Sequence, residues 1–88
     1  MTRKELVISN RLGLHARAAA KLVQAASRFH AQVIISTHQM SADAKSILGV
    51  LTLAASKDTP VVLEVDGPDE AAAMKEIESL ITSRFGEE

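Results

Sequence analysis

The 88-residue sequence contains no cysteine. That excludes disulfides, Cys-ligated zinc, iron–sulfur ligation and thiol catalysis. It has no tryptophan or tyrosine, and its two aromatics are Phe29 and Phe85. Single-stranded nucleic acid is held by stacking its bases on several aromatics, so a nucleic-acid partner is not expected. No apolar run approaches the roughly 20 residues of a membrane helix, so membrane insertion is not expected either. The opening Met1-Thr2-Arg3-Lys4-Glu5 leads into a strand-like segment without the apolar core of a signal peptide, and a cytoplasmic location is expected. There is no glycine-rich phosphate loop, and no cofactor is expected. What is present is a 47% hydrophobic chain of 9.4 kDa, expected to form one domain over residues 1–88 with no room for a second core.

The net charge of −1 hides an asymmetry. Residues 6–42 carry Arg11, Arg17, Lys21 and Arg28 and no acid, whereas residues 58–88 carry nine acids against Lys75 and Arg84. Such a layout can orient an encounter with an acidic partner or a phosphate, or simply solubilise the chain.

The periodicity gives the order β-α-β-β-α-β-α. A strand is predicted at residues 5–8 and a loop at 10–14. Ala19, Leu22, Val23, Ala26 and Phe29 form the apolar stripe of a helix over 16–29. A strand at 32–37 places Val33 and Ile35 on one side, and a short strand near 40–43 completes a hairpin. Ser46 reads as the N-cap of a helix over 47–55. Val61, Leu63 and Val65 alternate through a strand at 60–66. A last helix, with Asp69 and Glu70 at its positive end and Ile77, Leu80 and Ile81 inward, runs to Phe85, with Gly86 as a left-handed cap. The expected architecture is an α/β (α+β) open-faced sandwich, a sheet covered on one side by helices.

His15 is the sharpest chemical feature. It follows Gly13-Leu14 and occupies the N-cap region of the first helix, where Ser, Thr, Asp and Asn are usual. Unpaired amides and the macrodipole make a helix start a ready anion site. Arg17 can add charge-assisted hydrogen bonds to phosphate oxygens. Imidazole, with an ordinary pKa near ~6.5, is largely neutral and nucleophilic at neutral pH. A histidine that accepts a phosphoryl group and hands it on fits these features; a surface histidine that merely caps a helix fits them too. His30 and His38 read as surface residues, with no metal-ligand spacing around them. Asp69-Glu70, Glu76 and Glu78 read as a solvated helix face.

Two motifs carry a family resemblance. Gly13-Leu14-His15-Ala16-Arg17-Ala18-Ala19 resembles the phosphorylation-site motif of the HPr family, the histidine phosphocarriers of the bacterial phosphotransferase system. Lys45-Ser46-Ile47-Leu48-Gly49-Val50 resembles that family's regulatory-serine motif. Their separation, the chain length and the element order fit as well. The resemblance implies a four-stranded antiparallel sheet with three helices on one face. It implies that His15 is phosphorylated on Nδ1 by enzyme I, which draws on phosphoenolpyruvate, and passes the group to a histidine of an enzyme IIA domain. Arg17 would hold the phosphoryl group. Ser46 would be the target of an HPr kinase/phosphorylase in bacteria that have one. The protein would be a stoichiometric carrier rather than an enzyme, and monomeric, because His15 must open to two partners in turn. Ala18 stands where many members have proline, Gln24 and Ser27 where some carry lysines, and Asp58 where glycine is common. Aspartate tolerates a left-handed turn, so the fold should survive that change.

The second helix supports docking independently. Val50, Leu53 and Ala54 fall on one arc and Ile47, Leu48 and Leu51 on the next, too wide a span for one core-facing stripe. Some of these side chains should be exposed, as on a docking surface. That surface is assigned to Ile47, Leu48 and Leu51 with Ala20 and Lys21. A phosphate on Ser46 would put negative charge beside it. Three alternatives stay open: a nitrogen-related regulatory carrier instead of one for sugar uptake, a non-catalytic module acting through Ser46, and a small hydrolase. The last needs a residue to orient water beside His15, for which the local sequence offers Asn10.

Overall fold

Residues 60–66 alternate apolar side chains with Val62 and Glu64, and this period of two makes a half-buried strand. The computed structural model describes residues 1–87 and places that strand at the centre of the packing. The elements are β1 (Thr2–Val7), α1 (Ala16–Ser27), β2 (Gln32–Ser36), β3 (Ser41–Asp43), α2 (Ile47–Leu53), β4 (Pro60–Asp66) and α3 (Glu70–Thr82), followed by a 3₁₀ turn over Arg84–Gly86. The four strands form one antiparallel sheet in the order β1-β4-β2-β3. Val33 stands opposite Val65 and Ile35 opposite Leu63, so β2 and β4 turn the same face inward. That face packs on Leu22 of α1, Val50 of α2, and Ile77 and Ile81 of α3 in one core. The expected open-faced sandwich, with three helices on one face of a four-stranded antiparallel sheet, is the observed fold.

Several boundaries differ from the periodicity. β1 starts at Thr2 and ends at Val7; its polar residues are tolerated because it is an edge strand bonded only to β4. Ile8 lies past the strand yet is fully buried, its N–H donating to Thr59 O and its carbonyl accepting from Asp58 N. Asp58 adopts φ 72°, the left-handed turn expected to be tolerated there. α1 stops at Ser27, where Arg28 and Phe29 donate to the carbonyls three residues back and tighten the last turn. α2 stops at Leu53, because Ala54 takes a left-handed cap conformation. Ala54 is therefore exposed, not part of the packed arc.

The end of α3 departs most. The helix finishes at Thr82 rather than Phe85, and Arg84, Phe85 and Gly86 all have positive φ. Gly86 is thus the third left-handed residue of a reversal, not a simple cap. The reversal drives the Phe85 ring into the core, where it is 1% exposed. Burying such a ring contributes about 1.5–3 kcal/mol, which offsets the strained backbone. The Lys21 ammonium donates to the Phe85 carbonyl at 2.6 Å and closes the turn onto α1.

The acids expected on a solvated face are engaged. Asp69 sits at the N-cap of α3 without capping it; its carboxylate accepts from the backbone N–H groups of His30 (2.8 Å) and Ala31 (2.9 Å). Glu70 accepts from Gly67 N and from the Thr2 hydroxyl, Glu78 from Lys4, and Glu76 from Arg28. These side chains lace the segments around α3 together.

Candidate functional site

The loop before α1 is built around a close backbone approach. Gly13 has φ +66°, and a Cβ there would stand 2.5 Å from the Ala55 carbonyl oxygen. The same oxygen accepts the Leu14 N–H at 2.8 Å, and Leu14 is buried. The loop is thereby clamped to the end of α2, and the next residue, His15, is delivered to the start of α1. His15 is the N-cap, as its position in the sequence suggests. Its backbone is extended (φ −73°, ψ 178°), its carbonyl accepts from Ala19 N, and Nδ1 accepts from Arg17 N at 3.3 Å. The first turn of α1 holds no acidic residue, so nothing on the helix itself offsets its positive end. Arg17, exposed in that turn, adds a full charge.

One contact had no signal in the sequence. Glu87, which lies 72 positions along the chain, places Oε1 2.7 Å from His15 Nε2. The same oxygen accepts from Asn10 Nδ2 at 2.9 Å, and that Nδ2 also donates to the Gly13 carbonyl at 2.7 Å. Hydrogen bonds from Asn10 and His15, with Arg17 nearby, hold the Glu87 carboxyl below its usual range. Asn10 is fully buried, and its Nδ2 is engaged by the Gly13 carbonyl and Glu87. The nearest hint of Glu87 in the sequence is Phe85, whose spacing fits the preceding helix and so gives no sign of the reversal.

The second motif lies at the start of α2. Ser46 Oγ accepts from Gly49 N at 3.1 Å, the expected capping bond. Lys45 reaches back to the Phe29 carbonyl at 2.8 Å. Val50 and Leu53 are buried, while Ile47, Leu48 and Leu51 are 40%, 74% and 37% exposed. The expected split between packed and open arcs is present. Of the α1 residues assigned to the same surface, Ala20 is half-buried, and Lys21 has its ammonium committed to Phe85. Leu12, 61% exposed in the loop before His15, was not assigned to it.

His30 and His38 are exposed, and among the described residues no group of three or more His, Asp and Glu side chains converges as metal ligands would. No helix of the described residues is long and apolar enough to cross a membrane. A groove of about 1030 Å³ between α1 and α3, lined by Lys21, Gln24, Arg28, Lys75 and Ser83 among others, does not include His15.

The family model described as "PTS HPr component phosphorylation site" matches residues 2–83. The chain is 52% identical over 87 residues to a phosphocarrier protein HPr of Cupriavidus necator, covering 99% of this chain and 98% of that one. It superimposes on the crystal structure of an HPr from Thermoanaerobacter tengcongensis with a TM-score of 0.96 and 42% identity, covering 100% and 99% of the two chains. A structure described as an HPr dimer from the same organism matches with a TM-score of 0.79 and 41% identity over 99% of this chain and 100% of that one. With two motifs on two helix starts and matches of this extent, the chain belongs to the HPr family of phosphocarrier proteins of the phosphotransferase system.

Proposed function

We propose that His15 carries the phosphoryl group, on Nδ1, taking it from enzyme I and giving it to a histidine of an enzyme IIA domain. The observation that carries this reading is the orientation of Nδ1 toward the backbone N–H of Arg17 at the start of α1. A lone pair that accepts a long, weak hydrogen bond is open to attack on phosphorus. As the Nδ1–P bond forms, the bond from phosphorus to its donor atom on enzyme I breaks, and its electron pair stays on the donor. The freed N–H then faces the phosphoryl oxygens, with the positive helix end behind it. Arg17 supplies a cation for the same oxygens. The reverse sequence delivers the group to enzyme IIA. Because the chain is restored only by that second transfer, it acts as a carrier rather than a catalyst.

The exposed Ile47, Leu48 and Leu51, with Ala20 and the stem of Lys21, form the docking surface in this reading, and the chain works as a monomer in the cytoplasm. Ser46 at the patch edge is the regulatory site, where phosphorylation by a kinase would add negative charge beside the apolar side chains. The test is phosphorylation by enzyme I and phosphoenolpyruvate, read by intact mass. The expected result is a single acid-labile phosphoryl group that is lost in His15→Ala and transferred on adding enzyme IIA. No phosphorylation, or phosphorylation that persists in His15→Ala, overturns the assignment.

A further inference from the structure

We propose that Glu87 is a positioning residue for this transfer: its carboxylate fixes the His15 tautomer with Nδ1 unprotonated and stabilises the ring as it becomes cationic. This rests on His15 being the phosphoryl acceptor. An ionised carboxylate only accepts hydrogen bonds, so the 2.7 Å contact places the ring proton on Nε2. The Arg17 N–H donates to the other nitrogen and so requires a lone pair on Nδ1. Two contacts from different parts of the chain therefore select the same tautomer, the one that attack from Nδ1 needs.

The charge balance gives the carboxylate a second role. Neutral imidazole attacks through Nδ1 while keeping its Nε2 proton, so the ring gains a positive charge as the Nδ1–P bond forms. Glu87 already stands at the nitrogen where that charge is shared. Its interaction with the ring is stronger after bond formation than before, which lowers the barrier rather than merely binding the ground state. Among the described residues, the cation that acts on this pair is Arg17 in the first turn of α1; one turn on, the Lys21 ammonium is held by the Phe85 carbonyl. Neither can substitute for a carboxylate at Nε2.

The support around Glu87 is specific. Asn10 is fully buried, and its side-chain hydrogen bonds go to the Gly13 carbonyl and to Glu87. Among the described residues its Oδ1 has no partner, an unfavourable burial that the orientation imposes, because both neighbours of Nδ2 are acceptors. Phe85 anchors the reversal from the other side, and Glu87 N donates to the Arg84 carbonyl at 2.9 Å. Glu87 itself lies beyond the span 2–83 matched by the family model.

The experiment compares the full chain with Glu87→Gln and Glu87→Asp. The ¹⁵N shifts of His15, followed with rising pH until they no longer change, report the tautomer of the neutral ring. Steady-state transfer from enzyme I gives kcat and KM. The expected result is an Nε2–H tautomer in the unaltered protein that becomes mixed in Glu87→Gln. The kcat of Glu87→Gln falls about ten- to a hundredfold, the loss expected for one charge-assisted hydrogen bond, with KM within about twofold. Glu87→Asp, which keeps the charge, retains more kcat than Glu87→Gln. An unchanged tautomer and kcat in Glu87→Gln, or a rise in KM alone, overturns the positioning role while leaving His15 as the acceptor. Failure of the unaltered protein to be phosphorylated overturns the acceptor assignment and the positioning role with it.

Discussion

The carbonyl oxygen of Ala55 fills the space that a side chain on Gly13 would need, and it also accepts the N–H of the next residue, Leu14, at 2.8 Å. The site thus depends on backbone packed against backbone, with a glycine at φ +66° as the only residue that fits. Gly13→Ala should cost about 2–5 kcal/mol, combining left-handed strain with overpacking against atoms that cannot rotate away. Urea unfolding measures this. A loss below about 0.5 kcal/mol, the range of an ordinary surface change, would mean the clamp is not rigid.

Ser46 caps α2, and two substitutions separate that structural role from the regulatory role proposed for it. Ser46→Ala removes the bond to Gly49 N and should destabilise by about 1 kcal/mol. Ser46→Asp keeps a capping oxygen and adds charge at the positive helix end, so its stability should match or exceed that of the unaltered protein by about 0.3–1 kcal/mol. Its KM in transfer from enzyme I should nevertheless rise, because the charge lies beside the apolar patch. Equal KM for all three would remove Ser46 from regulation and leave it a cap.

Leu48 and Val50, two positions apart, make the same distinction on α2. Leu48 is 74% exposed and Val50 fully buried. Leu48→Glu should change stability by less than about 0.5 kcal/mol yet raise KM for partner proteins. Val50→Ala should cost about 2 kcal/mol, from lost burial and the void left behind, with little effect on KM among folded molecules. Thermal unfolding with transfer kinetics distinguishes the two. A Leu48→Glu protein that transfers normally would take that residue off the docking surface.

Asp69 and Glu70 should shape the acid limb of stability. Backbone N–H donors, from His30 and Ala31 to Asp69 and from Gly67 to Glu70, hold both carboxyls below their ordinary values of 3.8 and 4.5. In acid the unfolded chain therefore binds more protons at these groups than the folded chain does. Their contribution is complete above the ordinary values and is lost as pH falls through the depressed ones. Urea midpoints should fall as pH drops below about 4.5, and Asp69→Asn should be less stable near neutrality with a shallower acid decline. An equally steep decline in Asp69→Asn would assign the acid sensitivity elsewhere.

The readable part of the molecule is the part written in local pattern. Val61, Leu63 and Val65 announced β4 to the residue, and the spacing of Ile47, Leu48 and Leu51 announced an arc too wide for the core. His15 could be placed at a helix start because the signals that begin a helix lie within a few residues of it. The ends of α1, α2 and α3 were read too long, since each apolar stripe continues past the last helical residue. Phe29 and Phe85 fit the helical period but lie in the turns that follow, Phe29 half-buried and Phe85 fully buried.

Elements, their order and the position of the histidine at the start of α1 were determined by the sequence alone, because periodicity and capping act over distances of one or two helical turns. Which carboxylate meets the Nε2 of that histidine was decided only by the tertiary structure. Glu87 reaches Nε2 because Arg84 and Phe85 accept left-handed backbone conformations in exchange for a buried ring and a lysine-capped carbonyl. No local propensity favours that reversal; it becomes favourable only when α1, α3 and the loop at Asn10 are already packed together.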